Sequence, residues 1–97
     1  MKTTLQPGDD VIGMGATIVM KTFVKELAGR KIPECRTERA TEIMRECLKE
    51  KIIDAIADTK AALDCHMDKI AEATFAASMV LIGTEAFKRF AAEGHLK

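Results

Sequence analysis

The sequence predicts an all-α fold: a small bundle of three or four helices, with one long helix or helix pair, completed by homo-oligomerisation. Three observations carry this. Between Pro33 and Gly83 the chain contains neither Pro nor Gly and is rich in Ala, Glu, Lys, Arg, Leu and Met, the strong helix formers. Within that stretch Met44, Leu48, Ile52 and Ile56 recur every fourth residue, continued by Leu63, Met67 and Ile70. Glu42, Glu46, Glu50, Asp54 and Asp58 recur at the same step on the other side, which gives one dry and one wet face. Finally, apolar residues make up 47% of the 97, but only four are Phe and none is Trp or Tyr. A domain of this size buries only roughly 60–65% of its unfolded surface, so an Ala- and Met-rich core gains from a second copy.

Residues 1–9 read as an irregular arm ending in the Pro7-Gly8 turn, with Asp9 or Asp10 as N-cap of a helix over about 10–28. Gly29 is placed to stop that helix in the left-handed conformation, with Arg30 and Lys31 beside the negative end of its dipole. Ile32-Pro33 marks a connection, because a residue before Pro avoids the helical region. A continuous helix from there to Ile82 would be about 75 Å long, against about 28 Å for the first. Either this helix breaks, near Asp58-Thr59, into helices over about 34–57 and 59–82, or a second subunit covers the rest of its dry face. The segment Ile70–Ile82 carries one charge, Glu72, and is expected to be buried around most of its circumference. Gly83-Thr84 then permits a break before a last helix over about 84–93.

Fifteen basic residues balance fifteen acidic ones, which lowers the expectation of nucleic-acid binding, where counterion release needs a cationic surplus. The three cysteines, Cys35, Cys47 and Cys65, form no CxxC pair, so neither a zinc knuckle nor a redox dithiol is indicated. Reduced thiols and a cytoplasmic location are expected. The apolar run Val11–Met20 is preceded by Asp9 and Asp10 where a secretion signal carries positive charge, and it is too short to span a bilayer.

Most motif-like strings fail on their context. Gly13 and Gly15 begin a dinucleotide fingerprint, but Ile18 stands where the third glycine belongs and no strand precedes them. Close helix packing accounts for both better. Cys65 and His66 are adjacent, hence about 100° apart on a helix, and no third group orients them as a nucleophile pair. The acidic ridge lacks the Glu-x-x-His motif of di-metal bundles and sits on the wet side. No metal, cofactor or catalytic residue is assigned.

The one cluster worth following is basic. Lys21 and Lys25 lie one turn apart, followed by Arg30 and Lys31, then Arg36 and Arg39 with Thr37 and Thr41 across the connection. In a helical hairpin these groups would converge on one corner, where guanidinium forks bind phosphates and carboxylates. Solubility and dipole compensation are the plainer account of the same charges. The ligand- or partner-binding candidates are thus Lys21, Lys25, Arg30, Lys31, Arg36, Thr37 and Arg39.

The functional expectation is a non-enzymatic binding or regulatory protein that occupies a surface of another macromolecule, with itself and one further protein as partners. Small helical chains of this kind include inhibitors carried by phages and other mobile elements, an analogy of size and architecture only. An oligomeric binder of an anionic small molecule such as a nucleotide, at a subunit interface, is the alternative. Nucleic-acid binding by the basic face comes after it, and no membrane association is expected.

Overall fold

A computed structural model describes residues 11–95, and the arm expected over 1–9 with its capping aspartate lies outside them. The described residues form three packed helices and no strand: α1 (Val11–Leu27), a 3-10 turn (Glu34–Arg36), α2 (Thr37–Asp64) and α3 (Asp68–Ala92). The fold is thus all-helical. Ion pairs from Arg39 to Glu93 and from Arg89 to Glu50 show that α2 and α3 run antiparallel.

In α1 the residues Gly15, Val19, Phe23 and Leu27 are buried at a step of four, forming a single inward ridge. The helix ends where the sequence expects. Ala28 and Gly29 take left-handed φ values of 52° and 85°, and the Arg30 guanidinium donates back to the carbonyls of Leu27 (2.8 Å) and Glu26 (3.3 Å). Those are carbonyls that a helix end leaves without partners.

The long helix does not break at Asp58-Thr59. Thr59 is buried, and its hydroxyl donates to the Ala55 carbonyl at 2.8 Å, so the polar group is satisfied inside a continuous helix. The chain turns seven residues later instead. His66 takes φ 58°; its N–H donates to the Leu63 carbonyl (2.9 Å) and that of Met67 to the Ala62 carbonyl (3.0 Å). This is the Schellman ending usually built on Gly, here built on His, and no glycine in the sequence announces it.

Gly83 does not end a helix either. It lies buried inside α3, where α1 crosses close enough for Val19 and Thr22 to occupy the space a side chain would need. The residues assigned to a fourth helix over 84–93 are therefore the second half of α3.

The core is built around Phe23, Ile43, Met79 and Phe90, with Phe23 edge-on to Phe90 at 5.5 Å and to Phe87 at 5.9 Å. Two expectations about burial need correction. On α2 the inward face centres on Ala40, Ile43, Cys47, Leu48 and Ala55; of the expected ridge only Leu48 is buried, and Ile56 is exposed. Small residues mark the close α2–α3 contact, a signal that weighting by size overlooks. The segment Ile70–Ile82 is not buried all round. Ala71, Phe75, Met79 and Ile82 point inward, while Ile70, Val80 and Leu81 face out, Leu81 at 69% exposure.

Candidate functional site

Two concave regions differ in their electrostatics. The first is a groove of about 540 Å³ between α2 and α3. Its walls carry four carboxylates (Glu50, Asp54, Asp58, Glu85) and three bases (Lys51, Lys88, Arg89). Arg89 holds Glu50 through two hydrogen bonds of 2.9 and 3.0 Å and reaches Glu85 at 3.1 Å. Glu50 is accordingly held below the usual carboxylate range by the Arg89 guanidinium. Cys47 lies at the side of this groove, buried, and desolvation pushes its thiol up. A nucleophilic cysteine needs the opposite shift. The groove neutralises its own charge.

The second region is the corner where the α1–α2 connection meets the end of α3. Gly94 (φ 81°) turns the chain back after α3, and the His95 ring stacks on Phe90 with centroids 4.6 Å apart. From there His95 contacts Arg36 directly and reaches Arg39 through one carboxylate. Its Nε2 lies 2.8 Å from Glu93 Oε1, and its Nδ1 contacts Arg36 Nη1. A guanidinium can only donate and a carboxylate can only accept, so the ring is the tautomer protonated at Nε2. Glu93 is also gripped by Arg39 through bonds of 2.9 and 2.6 Å. With Arg39 as the main cause and His95 second, the Glu93 carboxyl is held down to about 2.

Arg30, Lys31, Pro33, Cys35, Arg36, Gly94 and His95 line the resulting cavity of about 580 Å³. Among the candidates named from sequence, Arg30, Lys31 and Arg36 therefore converge. Arg39 stands apart, surrounded by the carboxylates of Glu93, Glu42 (3.2 Å) and Glu46 (3.7 Å). Thr37 opens α2 and is exposed, its carbonyl accepting from the Thr41 hydroxyl at 3.1 Å. Lys21 and Lys25 are exposed on α1 and do not line the cavity.

Sequence reasoning did not single out His95. The available signal was Gly94 one residue before it: a left-handed glycine after a helix sends the next side chain back onto the last turn, here onto Phe90. His66 holds the turn between α2 and α3, so the adjacent Cys65-His66 pair has a structural explanation. Among the described residues no group of three His, Cys, Asp or Glu side chains is placed to hold a metal ion.

Comparison with models of protein families, with curated proteins and with solved structures finds no match to this chain.

Proposed function

We propose that this chain is a non-enzymatic binding protein, a regulator or inhibitor, that works by laying the outer face of α3 against another helical surface, first of all that of a second copy. One observation carries the reading. Ile70, Ala73, Ala77, Val80 and Leu81 share one side of α3 at helical spacing, and all five are exposed. The only charges between Asp68 and Lys88 on α3 are Lys69, Glu72 and Glu85. Ala73 and Ala77 form a low centre over which a second helix can approach closely, with Ile70 and Leu81 as larger groups at either end. A contiguous apolar strip of this kind marks contact surfaces on soluble proteins, whereas apolar residues exposed singly do not.

Two further facts support a binding role over an enzymatic one. The buried thiol is shifted away from reactivity, and the arginine in the α2–α3 groove is already engaged by Glu50 and Glu85.

By length and composition α3 would also pass as a membrane span, and one-third of its apolar window is buried. The test therefore compares both surfaces. Ile70→Asp with Leu81→Asp changes residues that are already exposed, so the helical circular dichroism is expected to persist. Light scattering across a concentration series is expected to show a wild-type oligomer and a monomeric double variant. A wild type that stays monomeric and instead floats with lipid vesicles would refute the reading.

A further inference from the structure

We infer that the corner cavity beside Arg30, Lys31, Arg36 and His95 is a binding site for a phosphate-bearing small molecule. This goes beyond the α3 surface described above and does not depend on it. The chain as a whole is neutral, yet among the described residues this cavity is lined by three permanent cations and no carboxylate. The α2–α3 groove of similar size, by contrast, carries four carboxylates against three bases. The acids nearest the corner leave that imbalance in place. Glu93 is held between Arg39 and His95, and Glu34, though in the same 3-10 turn as Arg36, does not line the cavity.

The donors are available and partly fixed in position. Arg30 uses Nε and Nη2 on the end of α1 and lies 5.5 Å over the Phe87 ring, which leaves its Nη1 hydrogens without a protein acceptor among the described residues. Lys31 makes no ion pair among the described residues. Arg36 is set against a ring nitrogen of His95, a weaker acceptor for a guanidinium than an anionic oxygen. An incoming phosphate oxygen therefore displaces His95 from Arg36 at little loss. Three cations exceed what one carboxylate neutralises and match a dianionic phosphate or a polyphosphate. The cavity volume, about 580 Å³, falls within the range of small-molecule sites, about 300–1,000 Å³.

The experiment is a calorimetric titration of the full chain at low ionic strength with sodium pyrophosphate and, separately, with adenosine diphosphate. NMR of labelled protein then locates any binding. The expected result is a dissociation constant below about 1 mM for at least one probe, with shifts at Lys31, Arg36 and Gly94. Lys31→Ala with Arg36→Ala should weaken binding by about tenfold or more, since charge-assisted bonds are lost. Both residues are exposed, so an unchanged melting curve verifies that the variant folds. Lys21→Ala with Lys25→Ala, cations outside the cavity, should leave binding as it was.

Three outcomes would overturn the inference. Neither probe binds; or the Lys21 and Lys25 variant loses as much affinity as the corner variant, which is diffuse attraction; or only a single-stranded oligonucleotide binds, with a steep dependence on salt.

Discussion

A methyl group added at Gly83 tests the packing described here, because two well-understood effects oppose each other. Within a helix, Ala is favoured over Gly by about 1 kcal/mol, so Gly83→Ala should stabilise the protein if the site were open. It is not open. A Cβ there would lie 2.7 Å from Thr22 Cβ, 2.8 Å from the Val19 carbonyl oxygen and 3.0 Å from Thr22 Cγ2. Carbon contacts are comfortable at about 3.5–4.0 Å. Neither Thr22 Cβ nor a main-chain oxygen can rotate away, so α1 as a whole must retreat from α3. Overpacking of this sort costs about 1–3 kcal/mol. With rigid neighbours the upper part of that range applies, which leaves a net loss of about 1–2 kcal/mol after the propensity gain.

For a domain of this length that is a melting temperature lower by roughly 5–15 °C. Urea unfolding followed at 222 nm measures it directly, provided the slope m is unchanged. Gly15→Ala supplies the comparison. There the nearest atom is the flexible Met79 Sδ at 2.8 Å, followed by Phe75 Cζ at 3.4 Å. A thioether can move, so this variant should stay within about 0.5 kcal/mol of the parent or exceed it. If Gly83→Ala proves as stable as Gly15→Ala, the α1–α3 crossing is looser than described and the reasoning fails.

Three other expectations follow from the turns and charges. His66→Gly should stabilise the chain by about 0.5–1 kcal/mol, read from the urea midpoint, because it relieves the left-handed strain of a non-glycine residue at φ 58°. Glu93→Gln should lower the melting temperature at neutral pH. Since the folded carboxyl is depressed to about 2, the contribution is fully present above the ordinary carboxylate range and vanishes as pH falls through about 2. The gap between parent and variant should therefore close between about pH 4.5 and 2, and salt should shrink it at any pH, because the pair is exposed. Dithionitrobenzoate should titrate Cys35 and Cys65 rapidly in the native protein and Cys47 only after unfolding. Three equally fast thiols would contradict the burial of Cys47.

Helix content was plainly legible, because the absence of Pro and Gly between Pro33 and Gly83 and the charge phase of Glu42 to Asp58 are local signals. So was the end of α1, where Gly29 lies beside Arg30. Breaks were not legible where the chain departs from habit. The α2–α3 turn uses His66 in a conformation that usually selects Gly, whereas Gly83, the residue that looked like punctuation, serves a helix crossing. Punctuation rules read backbone freedom; they cannot tell a glycine needed for φ from one needed for space. The site was half visible. Arg30, Lys31 and Arg36 stood out as charges, but their separation from Arg39 depends on Glu93, distant in sequence, reaching one of these arginines and not the others.

The same contrast between local and distant signals bears on the outer face of α3. In a three-helix arrangement each helix has two neighbours, and part of its circumference faces outward whatever the sequence. At 1.5 Å per residue the 17 residues of α1 cover about 26 Å, while the 28 of α2 and 25 of α3 run to about 42 and 37 Å. The described part of α1 therefore covers only part of the hairpin, and Met67 and Ile70 near its turn remain exposed. The core is already complete around Phe23, Ile43, Met79 and Phe90, without any contribution from Leu81 or Val80. Folding alone would accept Lys or Glu at those positions, as α2 does along its own outer ridge. A large apolar side chain left in water forgoes about 1.5–3 kcal/mol that burial would supply. That the core among the described residues does not use this strip is the physical ground for testing Ile70 and Leu81 together.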